Sequence, residues 1–167
     1  MKTIILGLAL LAITTGCVSV PKYGMKTTSD KLTDFTKLKT YASTTGWLSY
    51  YPEIDRQILA AVDRELAALG FTKVPASEPC DALATYASIL RRDVDVHSKQ
   101  SPETRLRREY PVATLVIMLL EPQHRSELFK VKADIPLALE PGKLAPQIDA
   151  SVAQMFSKYP TRKASHH

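Results

Sequence analysis

Glycine is scarce in this chain, at 6 of 167 residues. No glycine-rich phosphate loop and no Gly-x-Ser-x-Gly elbow occurs, so the usual nucleotide-binding and serine-hydrolase signatures are excluded. There are two cysteines, Cys17 and Cys80, too few for a disulfide framework. The four histidines are His97, His124, His166 and His167. None pairs with a histidine, cysteine or glutamate at a metal-ligand spacing on a helix. His166-His167 reads as the end of a polar tail. No metal and no cofactor is therefore expected, and an enzyme is disfavoured. No apolar run reaches the ~18 residues of a membrane-spanning helix. There is no internal repeat and no low-complexity tract.

The chain does carry an export pattern. Met1-Lys2-Thr3 supplies one positive charge, Ile4 to Ile13 is an apolar run of ten residues, and Thr14-Thr15-Gly16 approaches Cys17. This is the three-part plan of a secretory signal peptide over residues 1–16. At about 1.5 Å rise per residue the run covers roughly half of a ~30 Å hydrocarbon core, so it cannot act as a spanning anchor. Thr14-Thr15-Gly16-Cys17 resembles the lipobox of bacterial lipoproteins, with Thr14 where Leu is usual. The resemblance implies cleavage before Cys17 and acylation of its thiol and new amino terminus. Two or more acyl chains anchor stably, whereas one binds reversibly. Val18 follows, and a residue other than Asp there implies the outer membrane, facing the periplasm. The competing reading is an ordinary cleaved signal with a stray cysteine.

Removing residues 1–16 leaves about 150 residues, the size of one ordinary domain. Lys2 leaves with them, so 22 basic residues become 21 against 17 acidic, a net charge of +4. That mild excess permits contact with an anionic envelope component and does not call for nucleic acid. If Cys17 carries lipid, Cys80 is either a buried thiol or available for an intermolecular bridge, with burial the expectation.

Residues 17–33 are polar, with Lys22, Lys26 and Lys31, and read as a lipidated tether or an early edge strand. Residues 34–160 form the folded domain, and 161–167 a polar tail. Phe35 to Ser43 reads as a strand and Trp47 to Tyr51 as an aromatic loop. Pro52 opens a helix with an apolar stripe of Ile54, Ile58, Val62, Leu66 and Leu69. Asp55, Arg56, Asp63, Arg64 and Glu65 lie off it. Gly70 closes that helix. Phe71 to Val74 begins a short strand, and Asp81 to Arg91 is a strand with two fairly apolar faces. Arg92 to Tyr110 is highly charged and aperiodic, and reads as a long, mobile excursion, with extended arms as one option. Val112 to Leu120 reads as a central strand covered on both faces. Phe129, Val131, Ala133 and Ile135 alternate with Lys130, Lys132 and Asp134 as a half-buried strand. A last helix runs from about Ala145 to Lys158, started by Pro146, with Ile148, Val152, Met155 and Phe156 inward. The pattern is α+β: a mostly antiparallel sheet of about four to six strands with two helices on one face.

Several of these stretches, in order, resemble the DUF4136 family of bacterial lipoproteins. They are Asp34-Phe35 through Tyr41-Ala42, Asp55 to Ile58 through Ala61-Val62, and Leu66 to Phe71. Asp81 to Tyr86, Thr114 to Ile117, and Ile148 to Val152 through Phe156 and Tyr159-Pro160 complete the match. Ala113 stands where the family usually has Gly, and Phe129 near a common Trp. Both read as packing substitutions. The resemblance implies a lipoprotein of undefined activity and supplies no catalytic residues.

The densest charge is Arg91, Arg92, Arg105, Arg107 and Arg108. If the excursion folds back, these could meet as one anionic-ligand patch, since guanidinium forks match phosphate and carboxylate. The plainer reading is a solvated loop with local carboxylate partners. Asp93 and Asp95, two apart, read as members of ion pairs and not as an acid–base couple. Trp47, Tyr50 and Tyr51 could line a groove before the first helix, but core packing is the expectation. Together these features support a membrane-tethered periplasmic interaction or envelope-maintenance module without catalysis, which meets the membrane through lipid on Cys17 and either an anionic envelope component or a protein. The alternative is a carrier of an apolar or amphipathic ligand held between sheet and helices.

Overall fold

A computed structural model describes residues 24–44, 46, 47, 49, 51–94, 109–137, 140 and 142–161. Cys17, the signal segment, His97, Asp95, Tyr50, Arg105, Arg107, Arg108, His166 and His167 lie outside them. The elements run β1 (Met25–Ser29), β2 (Thr40–Ser43), α1 (Pro52–Ala68), β3 (Thr72–Lys73), β4 (Ala82–Val94), β5 (Glu109–Leu120), β6 (Glu127–Pro136) and α2 (Leu144–Phe156). The strands form one six-stranded sheet in the order β1-β6-β5-β4-β2-β3. The fold is α+β as expected, but the sheet is mixed. β1–β6, β6–β5 and β5–β4 are antiparallel, whereas β2 pairs in parallel with both β4 and β3.

The clearest periodicities give the most regular elements. In β6, Phe129, Val131, Ala133 and Ile135 are buried while Lys130, Lys132 and Asp134 are not. In α2, Ile148, Val152, Met155 and Phe156 are buried, with Ser151 among them. Pro52 is in the first turn of α1, where its missing N–H costs nothing. Gly70 ends that helix at φ +89°. Gly70 N–H donates to Ala67 O at 2.9 Å and Phe71 N–H to Leu66 O at 3.0 Å. That is a Schellman closure, which needs the left-handed residue glycine supplies. Tyr159, just past α2, packs edge-on against Phe35, Phe71 and Phe129 at 5.4, 6.1 and 5.3 Å. Burial pushes its phenol well above the ordinary value.

Two expectations change, for Phe35 and β5, and two open readings are decided, for Met25–Ser29 and the charged excursion. Phe35 belongs to a turn, and β2 begins only at Thr40, where the Asp81 carboxylate accepts from the Lys39 and Thr40 N–H groups, both at 2.8 Å. Met25–Ser29, within the stretch read as tether or edge strand, is an edge strand on β6. The charged arms of the excursion are strand: Arg92 pairs with Pro111, Asp93 with Tyr110 and Val94 with Glu109. β5 is central, and on its face away from the helices Val112 and Thr114 are buried but the rest is covered less fully. Leu115, Ile117 and Leu119 face the helices and are buried, whereas Val116, Met118 and Leu120 on the other face are half-exposed.

Between β2 and α1 the chain keeps running beside β4. Thr44 N–H donates to Ala84 O at 2.9 Å, Trp47 N–H to Tyr86 O at 3.1 Å, and Ser88 N–H to Trp47 O at 3.2 Å. Gly46 makes this close approach feasible, because a Cβ there would sit 1.9 Å from Tyr86 O.

Candidate functional site

The topology gathers several features at one end of the sheet. β4 leaves and β5 enters there, since Val94 pairs with Glu109. β6 finishes there, because Pro136 pairs with Val112. β1 starts towards the same end, as its first residue Met25 pairs with Ala133 and its last, Ser29, with Phe129. α1 and α2 both begin there: Ser88 N–H bonds Trp47 O just before α1, and Gln147 Nε2 donates to Pro136 O at 2.6 Å.

Asp55 ties the start of α1 to the sheet. It is only 7% exposed. Its Oδ1 accepts from Tyr86 Oη at 2.7 Å and from the Ser49 N–H at 2.8 Å. Burial, and next the hydrogen bond to Asp55, push the Tyr86 phenol well above its ordinary value. The sequence reading set Asp55 on the wet side of α1. Yet it is in phase with Ile58 and Val62, three and seven residues on, and that spacing was the available signal. Asp55→Ala leaves a buried hydroxyl and a backbone N–H without their acceptor, each at about 1–3 kcal/mol. Urea denaturation should show a loss of about 2–6 kcal/mol for the two together, and a loss under about 0.5 kcal/mol would mean water replaces the carboxylate fully.

Beside Asp55 is an apolar cavity of about 60 Å³ between the helix starts and the sheet. Ile54 and Ile58 of α1 and Leu144 and Ile148 of α2 form its helical wall, and Leu90, Ala113, Leu115 and Ile135 its floor. Ser49, Ser88 and Gln147 are its polar members. On the floor Leu90, Ala113 and Ile135 form one cross-strand row, so the smallest side chain is at the centre of the row. Left empty, such a volume forgoes about 1.5 kcal/mol of packing. Two large side chains on its border are wet: Leu90 is 53% exposed and Tyr51 48%. Tyr51 therefore lines a hollow and does not pack in the core. Trp47 is not in the core either, at 75% exposure on the opposite, open side of the sheet. There it borders a shallow hollow with Ala87, Met118 and Leu120.

Of the five arginines singled out, two are described. Arg91 and Arg92 are neighbours in β4, so their side chains leave on opposite faces and do not share one patch. Arg91 is on the open face. It donates to Thr114 Oγ1 at 2.6 Å and pairs with Asp93 at 3.0 Å and Asp134 at 3.1 Å. The Thr114 hydroxyl and Arg91 together hold the Asp134 carboxyl below its usual range. The Arg91–Asp93 pair is the local ion pair read from sequence. His124 is exposed, and its ring lies 3.1 Å from the Glu121 carboxylate. Among the described residues no group of three or more His, Cys, Asp or Glu side chains is placed to hold a metal ion. Cys80 is a half-buried free thiol beside a surface hollow lined also by Glu78 and Arg125.

Two helices on one face of a mixed six-stranded sheet define an α+β domain of a kind found in other solved proteins. A PDZ domain protein from Parabacteroides distasonis is similar at 15% identity and TM-score 0.56, over 83% of this chain. This chain spans only 36% of that one. The PelC dodecamer from Paraburkholderia phytofirmans is similar at 13% identity and TM-score 0.55, over 81% of this chain and 96% of that one. At such identities the likeness concerns the fold. A minor lipoprotein from Acinetobacter baumannii is more distant, at 11% identity and TM-score 0.41 over 71% of this chain and 90% of that one. No curated protein matches the chain in sequence. The family profile described as "Domain of unknown function (DUF4136)" matches residues 25–161, from the first residue of β1 to just past α2, and the chain belongs to that family.

Proposed function

We propose that this protein is a lipid-anchored periplasmic module of the outer membrane, without catalytic activity, that presents one end of its sheet to the membrane surface. The observation carrying this reading is topological: β1 starts towards the end where the β4–β5 hairpin leaves the sheet and both helices begin. Seven residues separate Cys17 from Met25. At ~3.3–3.6 Å for each of the eight steps, Cys17 and Met25 are at most about 29 Å apart. A lipid on Cys17 would hold the domain that close, hairpin end first.

The end of the sheet near Arg91 and Arg92 then faces an anionic envelope surface. Arg91 is already matched by two carboxylates, so Arg91→Gln alone should leave surface binding unchanged. Replacing Arg91, Arg92, Arg105, Arg107 and Arg108 together with Gln should weaken it, most at low salt, because exposed charges are screened. Stability should fall little, since exposed ion pairs are worth about 0–1 kcal/mol each. The assay is co-sedimentation of the full chain carrying C17S with anionic vesicles, lipopolysaccharide and peptidoglycan at two salt concentrations. Equal sedimentation of parent and five-Gln variant would remove these arginines from surface binding.

A second reading is favoured by the cavity. An apolar hollow between sheet and helices, with a few polar groups around it, is the arrangement a carrier of an apolar ligand requires.

A further inference from the structure

We propose that the cavity takes the end of one linear acyl chain from a lipid of the membrane against which the protein is held. This rests on the carrier reading and names its ligand.

Chemistry comes first. The walls are mostly aliphatic, from Ile54 and Ile58 to Leu115, Ile135 and Ile148, with Ser49, Ser88 and Gln147 the polar members. Such a surface recognises hydrocarbon and offers a charged or sugar-like group few hydrogen bonds in exchange for its water. Size restricts the hydrocarbon. One water-sized atom needs roughly 10–15 Å³ of such space, so about 60 Å³ takes roughly four to six atoms in file. An apolar cavity that holds one benzene is about 150 Å³. A chain terminus fits where a ring system does not.

The border shows where the rest of the ligand lies. Leu90 and Tyr51 are 53% and 48% exposed beside the cavity, two large apolar side chains left wet. An acyl chain passing between them and Leu144 would cover both, and its polar head would remain outside in water. The site is also at the end of the sheet towards which β1 starts, so the same short link that carries Cys17 sets the opening towards lipid.

Titration of the full chain carrying C17S with dodecanoate tests this, read by methyl NMR. Ile58, Leu115 and Ile135 methyl signals should shift and saturate together, while Val116 and Leu120 on the open face stay still. Ala113→Met puts a flexible side chain at the centre of the floor and should weaken dodecanoate binding at least tenfold with the melting temperature kept. If that variant does not fold, Leu144→Gln at the border should weaken binding in the same direction. Saturation confined to open-face signals, or unchanged affinity in the folded variants, would overturn the proposal. Naphthalene-2-carboxylate separates the two readings. If it binds at the same methyls and dodecanoate does not, the acyl chain is wrong and the carrier stands. If neither binds, both fall. The acylated wild type separates the sources: binding equal to that of C17S supports a membrane lipid, whereas binding by C17S alone would assign the cavity to the chain's own lipid and overturn the source.

Discussion

Val152→Asp unfolds the domain. Val152 is fully buried on α2, and Val62 holds the corresponding place on α1 at 4% exposure. Both belong to the single core formed by the two helices and the inward face of the sheet. A carboxylate at either position is removed from water with no partner designed for it, which costs several kcal/mol. A domain of this size has about 5–15 kcal/mol of net stability, so either change is expected to bring melting to or below room temperature. Asp55 shows the difference a partner makes: it is buried in the same layer and is satisfied by Tyr86 and Ser49. Ile89→Asp is the control, since Ile89 is on the open face at 49% exposure and should tolerate the charge. Thermal melts of the three variants in the C17S background decide the matter. A Val152→Asp protein that melts with its parent would mean that the helical stripes face water.

How far the fold is legible in the sequence depends on how much of each element is in contact with the core. α2 and β6 are visible because one stripe or one parity is buried along their length, so period 3.6 or 2 is written into the residues. β1 is nearly invisible: four of its five residues are exposed and its place comes from main-chain pairing with β6, which leaves no mark on side-chain type. The same holds for the outer arms of β4 and β5, where Arg92 and Asp93 pair with Pro111 and Tyr110 beyond the reach of the helices. There polarity signals solvent and not the absence of a strand. The parallel pairing of β2 is hidden as well, because register between distant segments follows from the crossover through α1. The cavity enters the sequence reading only as the alternative of a ligand held between sheet and helices, without its place or size. It is missing volume where α1, α2 and three strands meet, and no single segment records it. The lipobox resemblance, by contrast, is wholly local, and that part of the proposed function is the part a sequence can carry.

Cys17→Ser is expected to move the protein from the membrane fraction to the soluble one, or to leave it as uncleaved precursor. Serine keeps the size of the side chain and removes the thiolate nucleophile that acylation needs. Each buried CH₂ contributes about 0.8 kcal/mol, so one chain gives only reversible attachment and two or more hold the protein on the membrane. Among the described residues no helix is long and apolar enough to cross a membrane in place of that hold. The residual attraction of a chain with a mature net charge of +4 is screened within about 8 Å at physiological salt. Metabolic labelling with palmitate, followed by fractionation, reads both consequences at once. Label in the wild type and none in the serine variant establishes the anchor. A wild type that takes up no label would remove the tether, and with it the reason for the hairpin end to face lipid.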